Sequence, residues 1–489
     1  MSSLNLIPKP QSVTIDEGQF ALTDSTFIYV QTEADKTVKK IGHYLADKLK
    51  PATGFDLQVV ATTDLPTNNH INLIIDEANS SLGEEGYTLQ VTSDMVNVTA
   101  AQPAGLFRGV QTLRQLFPSQ IEQSTVVDLE WTVPAVTIED SPRFAYRGAM
   151  LDPARHFYPV SEVKQYIDLM AYFKLNFLHL HLTDDQGWRI EITSWPKLTE
   201  IGGSTAVDGL GGYYTQADYT EIVNYAQEHF ITVVPEIDMP GHTNAALASY
   251  AKLNCDDTAT ELYTGIEVGF SSFCIDKEIT YQFVDDVIRE LAAITPGPYF
   301  HIGGDESNKT EEADFITFMG RVLPIVQKYD KTFVAWDETA KAGIDDSTVI
   351  QHWKSDSNTQ MAIAKGAKVI MSPGNRTYLD MKYYEDSRLG LTWAGLINTE
   401  AAYSWDPATV VPDIPEEKIL GIEAPLWSET IENIADLQWL AYPRLCGHAE
   451  LGWSSKNGRG WDEYKHRLSA MKTRLDGMGV NYFDDPVVP

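Results

Sequence analysis

The chain has 489 residues, 43% of them hydrophobic and 22% charged, which suits globular domains and excludes a fibrous or largely disordered polypeptide. Its length exceeds one average domain, so two or three domains are expected unless one is a large barrel. A formal charge of −32 at pH 7 repels nucleic acid and anionic membranes, which leaves neutral or cationic partners.

The opening stretch MSSLNLIPKPQSV has neither the charged nor the apolar region of a secretory signal. No apolar run reaches the roughly 18–20 residues of a membrane span. As written, the chain is expected to be cytoplasmic, or secreted if a signal was removed before this numbering. Residues 1–138 then mix short alternating segments, such as STFIYV, INLIID, GYTLQV and MVNVTA, with one helical pattern, AGLFRGVQTLRQLF. In that pattern Leu106, Val110, Leu113 and Leu116 share a face, so a small α+β domain is predicted. The rhythm changes around Pro142 in DSPRFAYRG, which places a domain boundary near residue 139.

Over 139–489 apolar strand patterns alternate with amphipathic helical ones. The strands are read in YRGAMLD, NFLHLHL, ITVVPEID, YFHIGG, TFVAWDE, STVIQHW, AKVIMS and ILGIEAPLW. SEVKQYIDLMAYFK, ADYTEIVNYAQEHF and YQFVDDVIRELAAI read as helices between them. This alternation predicts an α/β fold, a (β/α)8 TIM barrel with insertions, preceded by the small α+β domain. A doubly wound open sheet is the competing architecture, but no glycine-rich phosphate loop follows the first strand. Three cysteines are too few for a disulfide framework or a structural zinc site. Cys255 and Cys274 could close one loop, which would argue for export, or remain as two core thiols; composition leaves both open.

Barrel active sites lie at the carboxyl ends of the strands. Acids and aromatics gather there: Asp152 and Arg155, Asp184 and Asp185, Glu236, Asp238 and His242, Asp305 and Glu306. Later strand ends add Trp336, Asp337 and Glu338, His352 and Trp353, Tyr378 and Asp380, and Trp427 and Glu429. Carboxylates and arginine bind hydroxyls while indole faces cover a pyranose ring, so the combination suits a sugar. In GPYFHIGGDESNK the adjacent acids Asp305 and Glu306 would point to opposite faces of a regular strand. Gly303 and Gly304 let the chain turn before them, so both acids could reach one ligand. A solvated turn is the plain alternative.

The motifs LDPARHFYPV, HLHLTDDQGWRIEI, PEIDMPGH, HIGGDE, VAWDE, YLDMKY and LWSE, in this order, resemble glycoside hydrolase family 20, the β-N-acetylhexosaminidases. The resemblance covers essentially the whole chain, because that family also places a small α+β domain before its barrel. It implies retention by substrate assistance, in which the 2-acetamido oxygen of the sugar attacks C1. Under it Glu306 is the general acid and later the base, Asp305 orients the acetamide N–H, and Tyr378 donates to the acetamide oxygen. Trp336, Trp353 and Trp427 match the walls of the acetamide pocket. Arg155, Asp380 and Glu429 match a clamp on O3, O4 and O6, and Trp393 matches an aromatic on the leaving-group side. Asp184 and His242 match supports of the catalytic pair, with Asp185 able to take the place of Asp184. The implied partner is an oligosaccharide or glycoconjugate ending in β-linked N-acetylglucosamine or N-acetylgalactosamine, and no cofactor or metal is implied.

Three other readings remain at this level. His179 and His181 share one strand face at the spacing used by metal-dependent barrel hydrolases. A non-catalytic hexosamine-binding protein would keep the clamp without needing Asp305, Glu306 and Tyr378. A retaining enzyme with its own carboxylate nucleophile would act equally on sugars that lack the acetamido group.

Overall fold

The computed structural model describes residues 4–31, 36–66 and 68–489. Their contacts separate two compact units. One comprises the chain up to Arg143 together with Ala171–Lys174 and Ala449–Pro489, and the other comprises Phe144–Met170 and Leu175–His448.

Among the described residues of the first unit, seven strands form one mixed sheet. Their spatial order is Ser12–Leu22, Trp131–Asp140, Tyr87–Val91, Met95–Ala100, His70–Ile75, Phe27–Gln31 and Val59–Thr62. The anticipated helix runs Pro103–Leu116 and buries Leu106, Val110, Leu113 and Leu116. Its proline occupies the first turn, where a missing N–H costs no internal hydrogen bond. Ser12–Leu22 was not anticipated as a strand, and the reason is physical: every residue in it except Phe20 and Leu22 is exposed, so it lacks half-buried alternation. Trp131–Asp140 carries Pro134 inside it, a residue that argues against strand in any sequence reading.

The second unit is a closed barrel of eight parallel strands. In chain order they are β1 (Tyr146–Leu151), β2 (Phe177–His181), β3 (Thr232–Glu236), β4 (Tyr299–His301), β5 (Thr332–Trp336), β6 (Val349–His352), β7 (Lys368–Met371) and β8 (Ile419–Leu426). Closure comes from β8 pairing with β1 over Gly421–Leu426 and Tyr146–Leu151. Helices follow most strands, as the alternation of patterns requires. The amino-terminal end of the barrel is filled by Tyr146, Val234, Val334, Val349 and Ile370, with Phe177, Tyr299 and Leu420 packed against them. The Tyr146 and Phe177 rings stack there with centroids 4.1 Å apart. Above this apolar plug the interior becomes polar, because every second residue of a strand faces inward and on β2 those residues are Phe177, His179 and His181.

The segment between β3 and the helix Glu278–Ala293 contains a loop closed by a Cys255–Cys274 disulfide. Among the described residues no helix is long and apolar enough to cross a membrane. Peptide mapping without reductant is expected to return Cys255 and Cys274 in one cross-linked fragment. Closing a loop of this size contributes about 3 kcal/mol in the chain-entropy model. A double Cys255→Ser/Cys274→Ser variant should therefore melt at lower temperature, and equal melting would show that the bond contributes nothing.

Candidate active site

The acids of HIGGDE leave β4 in a turn, not in a strand. Gly303 (φ +69°), Gly304 (φ +93°) and Glu306 (φ +44°) all take left-handed backbone conformations. Only glycine fits at 303, since a Cβ would fall 1.8 Å from Asp238 Oδ1. That oxygen accepts the Gly304 N–H at 2.9 Å and so anchors the turn. The turn overcomes strand alternation: His242 Nε2 lies 3.7 Å from Asp305 Oδ2 and 3.8 Å from Glu306 Oε2. Asp305 is buried, whereas the Glu306 side chain is 30% exposed and reaches the mouth.

A buried chain of alternating carboxylates and imidazoles runs down from this pair. His242 Nδ1 is 3.0 Å from Asp184 Oδ1, and His181 Nε2 is 3.0 Å from Asp184 Oδ2. His181 Nδ1 meets Glu236 Oε2 at 2.5 Å. Glu236 also lies 2.9 Å from His179 Nε2, and His179 Nδ1 is 2.8 Å from Glu423 Oε1. His181 has a carboxylate on each ring nitrogen, so both contacts are hydrogen bonds only if the ring is doubly protonated. Burial alone would lower its pKa, but Glu236 and Asp184 outweigh burial and raise it to about 10. Burial likewise opposes ionisation of Asp184, yet Arg155, His242 and His181 hold it well below the usual carboxylate range. The Glu306 carboxyl is raised by burial and by Asp305, against the opposing charge of His242. Burial and Asp305 push the Asp238 carboxyl well above the ordinary range.

Arg155 closes the network from the β1 side. Its Nη2 is 2.7 Å from Asp184 Oδ2, its Nη1 donates to Asp152 Oδ2 at 3.1 Å, and its Nε donates to Gln186 Oε1 at 3.1 Å. Glu429 Oε1 lies 3.8 Å from Nη1, and the guanidinium sits 5.1 Å over the Trp427 ring.

Aromatics from β5 to β8 make the other side. Trp336, Trp353, Tyr378 and Trp427 are buried in one cluster with Met150 and Met381. Trp336 and Trp427 lie 5.9 Å apart, Trp353 and Tyr378 are nearly parallel at 6.3 Å, and Tyr378 and Trp427 are 6.2 Å apart. Two indoles are tied by their N–H groups to glutamates, Trp336 to Glu236 at 2.9 Å and Trp353 to Glu338 at 3.0 Å. Trp393 stands edge-on to Trp353 and Tyr378 and is 56% exposed. The long segment after β7 that carries Tyr378, Asp380 and Trp393 is pinned by buried Arg444, which donates to the carbonyls of Leu379, Met381 and Ile397.

The residues singled out from the sequence thus fall into two touching groups. Arg155, Asp184, His242, Asp305, Glu306 and Glu429 form the ionic group. Trp336, Trp353, Tyr378, Trp393 and Trp427 form the aromatic group, joined to the first where Arg155 and His181 contact Trp427. Asp380 sits between them, its carboxyl raised by burial and by Glu429. Asp184, not Asp185, occupies the network position; Asp185 instead accepts the Asn244 N–H at 2.9 Å and the Ser271 hydroxyl at 2.5 Å. From the sequence, Asp152, Glu236 and Glu338 are acids at strand ends without a role, His181 is a candidate metal ligand, and Gln186 is not singled out. Inward strand parity, applied to His181, Glu236 and Glu423 together, was the signal that could have found the interior ones.

Paired acids beside a cluster of indoles at the carboxyl end of a parallel barrel are the equipment of a glycoside hydrolase. Residues 144–456 match the model for the catalytic domain of glycosyl hydrolase family 20, and residues 3–141 match domain 2 of the same family. The chain belongs to glycosyl hydrolase family 20. A β-N-acetylhexosaminidase from Cellulomonas fimi is 39% identical over 493 residues, covering 100% of this chain and 97% of that one. The family 20 β-N-acetylhexosaminidase of Streptomyces coelicolor superposes with a TM-score of 0.96 at 50% identity, covering 99% and 98% of the two chains. A mutant Streptomyces plicatus β-hexosaminidase in complex with its product, N-acetylglucosamine, gives 0.95 at 49% identity over 99% and 97%.

Replacing Gly303 by alanine should disrupt the turn through both the contact with Asp238 and the positive φ. Loss of activity together with a lowered denaturation midpoint is expected, and an active Gly303→Ala protein of unchanged stability would refute this account of the turn.

Proposed function

We propose that the protein is an exo-acting β-N-acetylhexosaminidase that removes terminal β-linked N-acetylglucosamine or N-acetylgalactosamine with retention, the sugar acetamide serving as nucleophile. One observation carries the reading most. Asp305 Oδ1, both carboxylate oxygens of Asp380 and Glu429 Oε2 are buried without a well-formed hydrogen bond to the protein, directly beside the cluster of three indoles. Buried polar atoms require partners, and a ring bearing several hydroxyls, one amide N–H and one methyl supplies them all. Arg155 adds donors: three of its five N–H groups are directed at Gln186, Asp152 and Asp184, leaving two for a sugar oxygen.

In this mechanism Glu306 gives its proton to the glycosidic oxygen as the C1–O bond breaks. The acetamide oxygen attacks C1 and closes an oxazolinium ring, with Tyr378 donating to that oxygen beforehand. Asp305, as a carboxylate, accepts the acetamide N–H and stabilises the positive charge that develops. Trp336, Trp353 and Trp427 hold the methyl, so the nucleophile is kept against the ring and gains from proximity. Glu306, now a carboxylate, takes a proton from water, which adds to C1 and reopens the ring. His242 and Asp184 are assigned to hold the pair in register, and Trp393 to cover the leaving group.

His179 and His181 each stand in a group with Glu236 whose ligand atoms lie within 4.8 Å of one another, but the ion pairs within those groups favour a structural role over a metal site. Every ring nitrogen of His179 and His181 faces a carboxylate at 2.5–3.0 Å, and a protonated imidazole is not a ligand. Disulfides persist in oxidising compartments, so the Cys255–Cys274 bond favours an exported protein; activity confined to cell extract in the native host would argue otherwise.

With chelator present, an aryl β-N-acetylglucosaminide should be cleaved with far higher kcat/KM than the matching β-glucoside. Comparable rates would point to a carboxylate nucleophile, and loss of activity to the chelator would revive the metal reading. Glu306→Gln should retain binding and lose turnover on poor leaving groups by about 10²–10⁴-fold. The His242 cation lowers the Glu306 pKa, so His242→Gln should let Glu306 keep its proton to higher pH. The alkaline limb of kcat/KM should then move upward in pH; an unmoved or lowered limb would contradict the assignment.

A further inference from the structure

Two consecutive acids at the end of β5, Asp337 and Glu338, take no part in the reaction described above, yet both reach across to the next strand. Asp337 is fully buried, and its Oδ2 accepts the backbone N–H groups of Trp353, Lys354 and Ser355, each at 3.1 Å. Its Oδ1 accepts the Asn358 amide at 3.1 Å. Three backbone bonds to one carboxylate fix where the chain carrying Trp353 leaves β6. They act on the backbone, while the indole packs against Tyr378 and Trp393. Glu338 adds a directional hold on the ring edge: its Oε2 accepts the Trp353 indole N–H at 3.0 Å, and its Oε1 lies 3.0 Å from Lys354 Nζ. The same ammonium sits 3.8 Å over the Trp353 ring, so backbone, ring edge and ring face are each held by a different charged group.

The other walls need less support. Trp336 is inside the barrel at 1% exposure with its N–H on Glu236. Trp427 is covered by the Arg155 guanidinium. Trp353 is the wall next to the exposed Trp393, and its indole N–H is bonded to Glu338 at the side of the site rather than inside the barrel.

We propose that Glu338 is a positioning residue that sets acyl specificity: by holding the Trp353 indole, it fixes the depth of the recess for the substituent on the sugar's 2-nitrogen and so excludes acyl groups longer than acetyl. The inference rests on the assignment of Trp353 to the acetamide recess. A one-carbon change of acyl length is a fine distinction, worth between about tenfold and a few hundredfold in a well-packed apolar pocket. A rotating indole would erase it. The same rotation would loosen the acetyl group and weaken its alignment with C1.

The test compares kcat/KM on aryl N-acetyl- and N-propionyl-β-glucosaminides for the wild type, Glu338→Gln, Glu338→Ala and Lys354→Met, with melting temperature recorded for each. Glu338→Gln retains a carbonyl acceptor for the indole N–H and should keep the acetyl-to-propionyl preference within about threefold. Glu338→Ala should lower the preference by about tenfold, the effect of losing one buried hydrogen bond. Lys354→Met keeps the indole bond but removes the ring-face contact, and should lower the preference by clearly less than Glu338→Ala does. An unchanged preference in Glu338→Ala overturns the proposal, and so does an equal loss in Lys354→Met, which would assign the wall to the lysine. A drop in melting temperature with an intact preference also overturns it, since that pattern is structural. Failure of the wild type to favour acetamido sugars over plain glucosides would instead reject the reading of the site itself.

Discussion

The structure depends most on the line of alternating charges inside the barrel, from Glu423 through His179, Glu236, His181 and Asp184 to His242. Each member is buried, and an isolated charge there would be prohibitive. Every ion therefore exists only because its neighbours carry the opposite sign. Such a chain constrains geometry as well as charge, because His181, bonded at both nitrogens, can neither rotate nor change tautomer. Glu236 is its branch point. Beyond the two histidines, it takes the Trp336 indole N–H and lies 3.0 Å from His301 Nδ1, so ionic and aromatic sides share one anchor.

From that anchor the site follows by short steps. The fixed His242 presents its Nε2 to Asp305 and Glu306, which face it because the glycine turn departs from strand geometry. Burial and mutual repulsion raise Glu306, while the cation limits the rise; a carboxyl that must donate a proton and later accept one benefits from both influences. Asp238, its carboxyl raised by burial and by Asp305, supports the turn by accepting the Gly304 N–H. Opposite, the arginine at 444 gives the long segment after β7 the rigidity its irregular backbone lacks.

Much of this was legible in residue order. The barrel showed through eight apolar strands alternating with amphipathic helices, and the acids and aromatics marked the strand ends. Glu338 was visible as an acid at a strand end, but its target is an indole on the following strand, a contact that no local pattern encodes. Similarly, the role of Glu236 emerges only when β2, β3 and β8 are brought around one axis. Ser12–Leu22 escaped because edge exposure removes the alternation on which strand recognition rests. The grouping of Ala449–Pro489 with the first unit depends on contacts between residues hundreds of positions apart. Asp184 and Asp185 could not be separated by spacing; the turn between them sends one into the ionic chain and the other to Ser271.

The stacked plug of Tyr146 and Phe177, with Val234, Val334, Val349 and Ile370, seals the barrel at its amino-terminal end. With that end filled, the proposed sugar site is approached from the carboxyl end of the strands. On the proposed reaction, a freed sugar must leave by the route its parent entered, and only after the remainder of the chain has moved aside. The shortened chain cannot slide forward into an occupied recess. Degradation of a long oligosaccharide would then be distributive, each cleavage followed by complete release and a new encounter, and the enzyme would shorten a population of chains together instead of consuming one to its end.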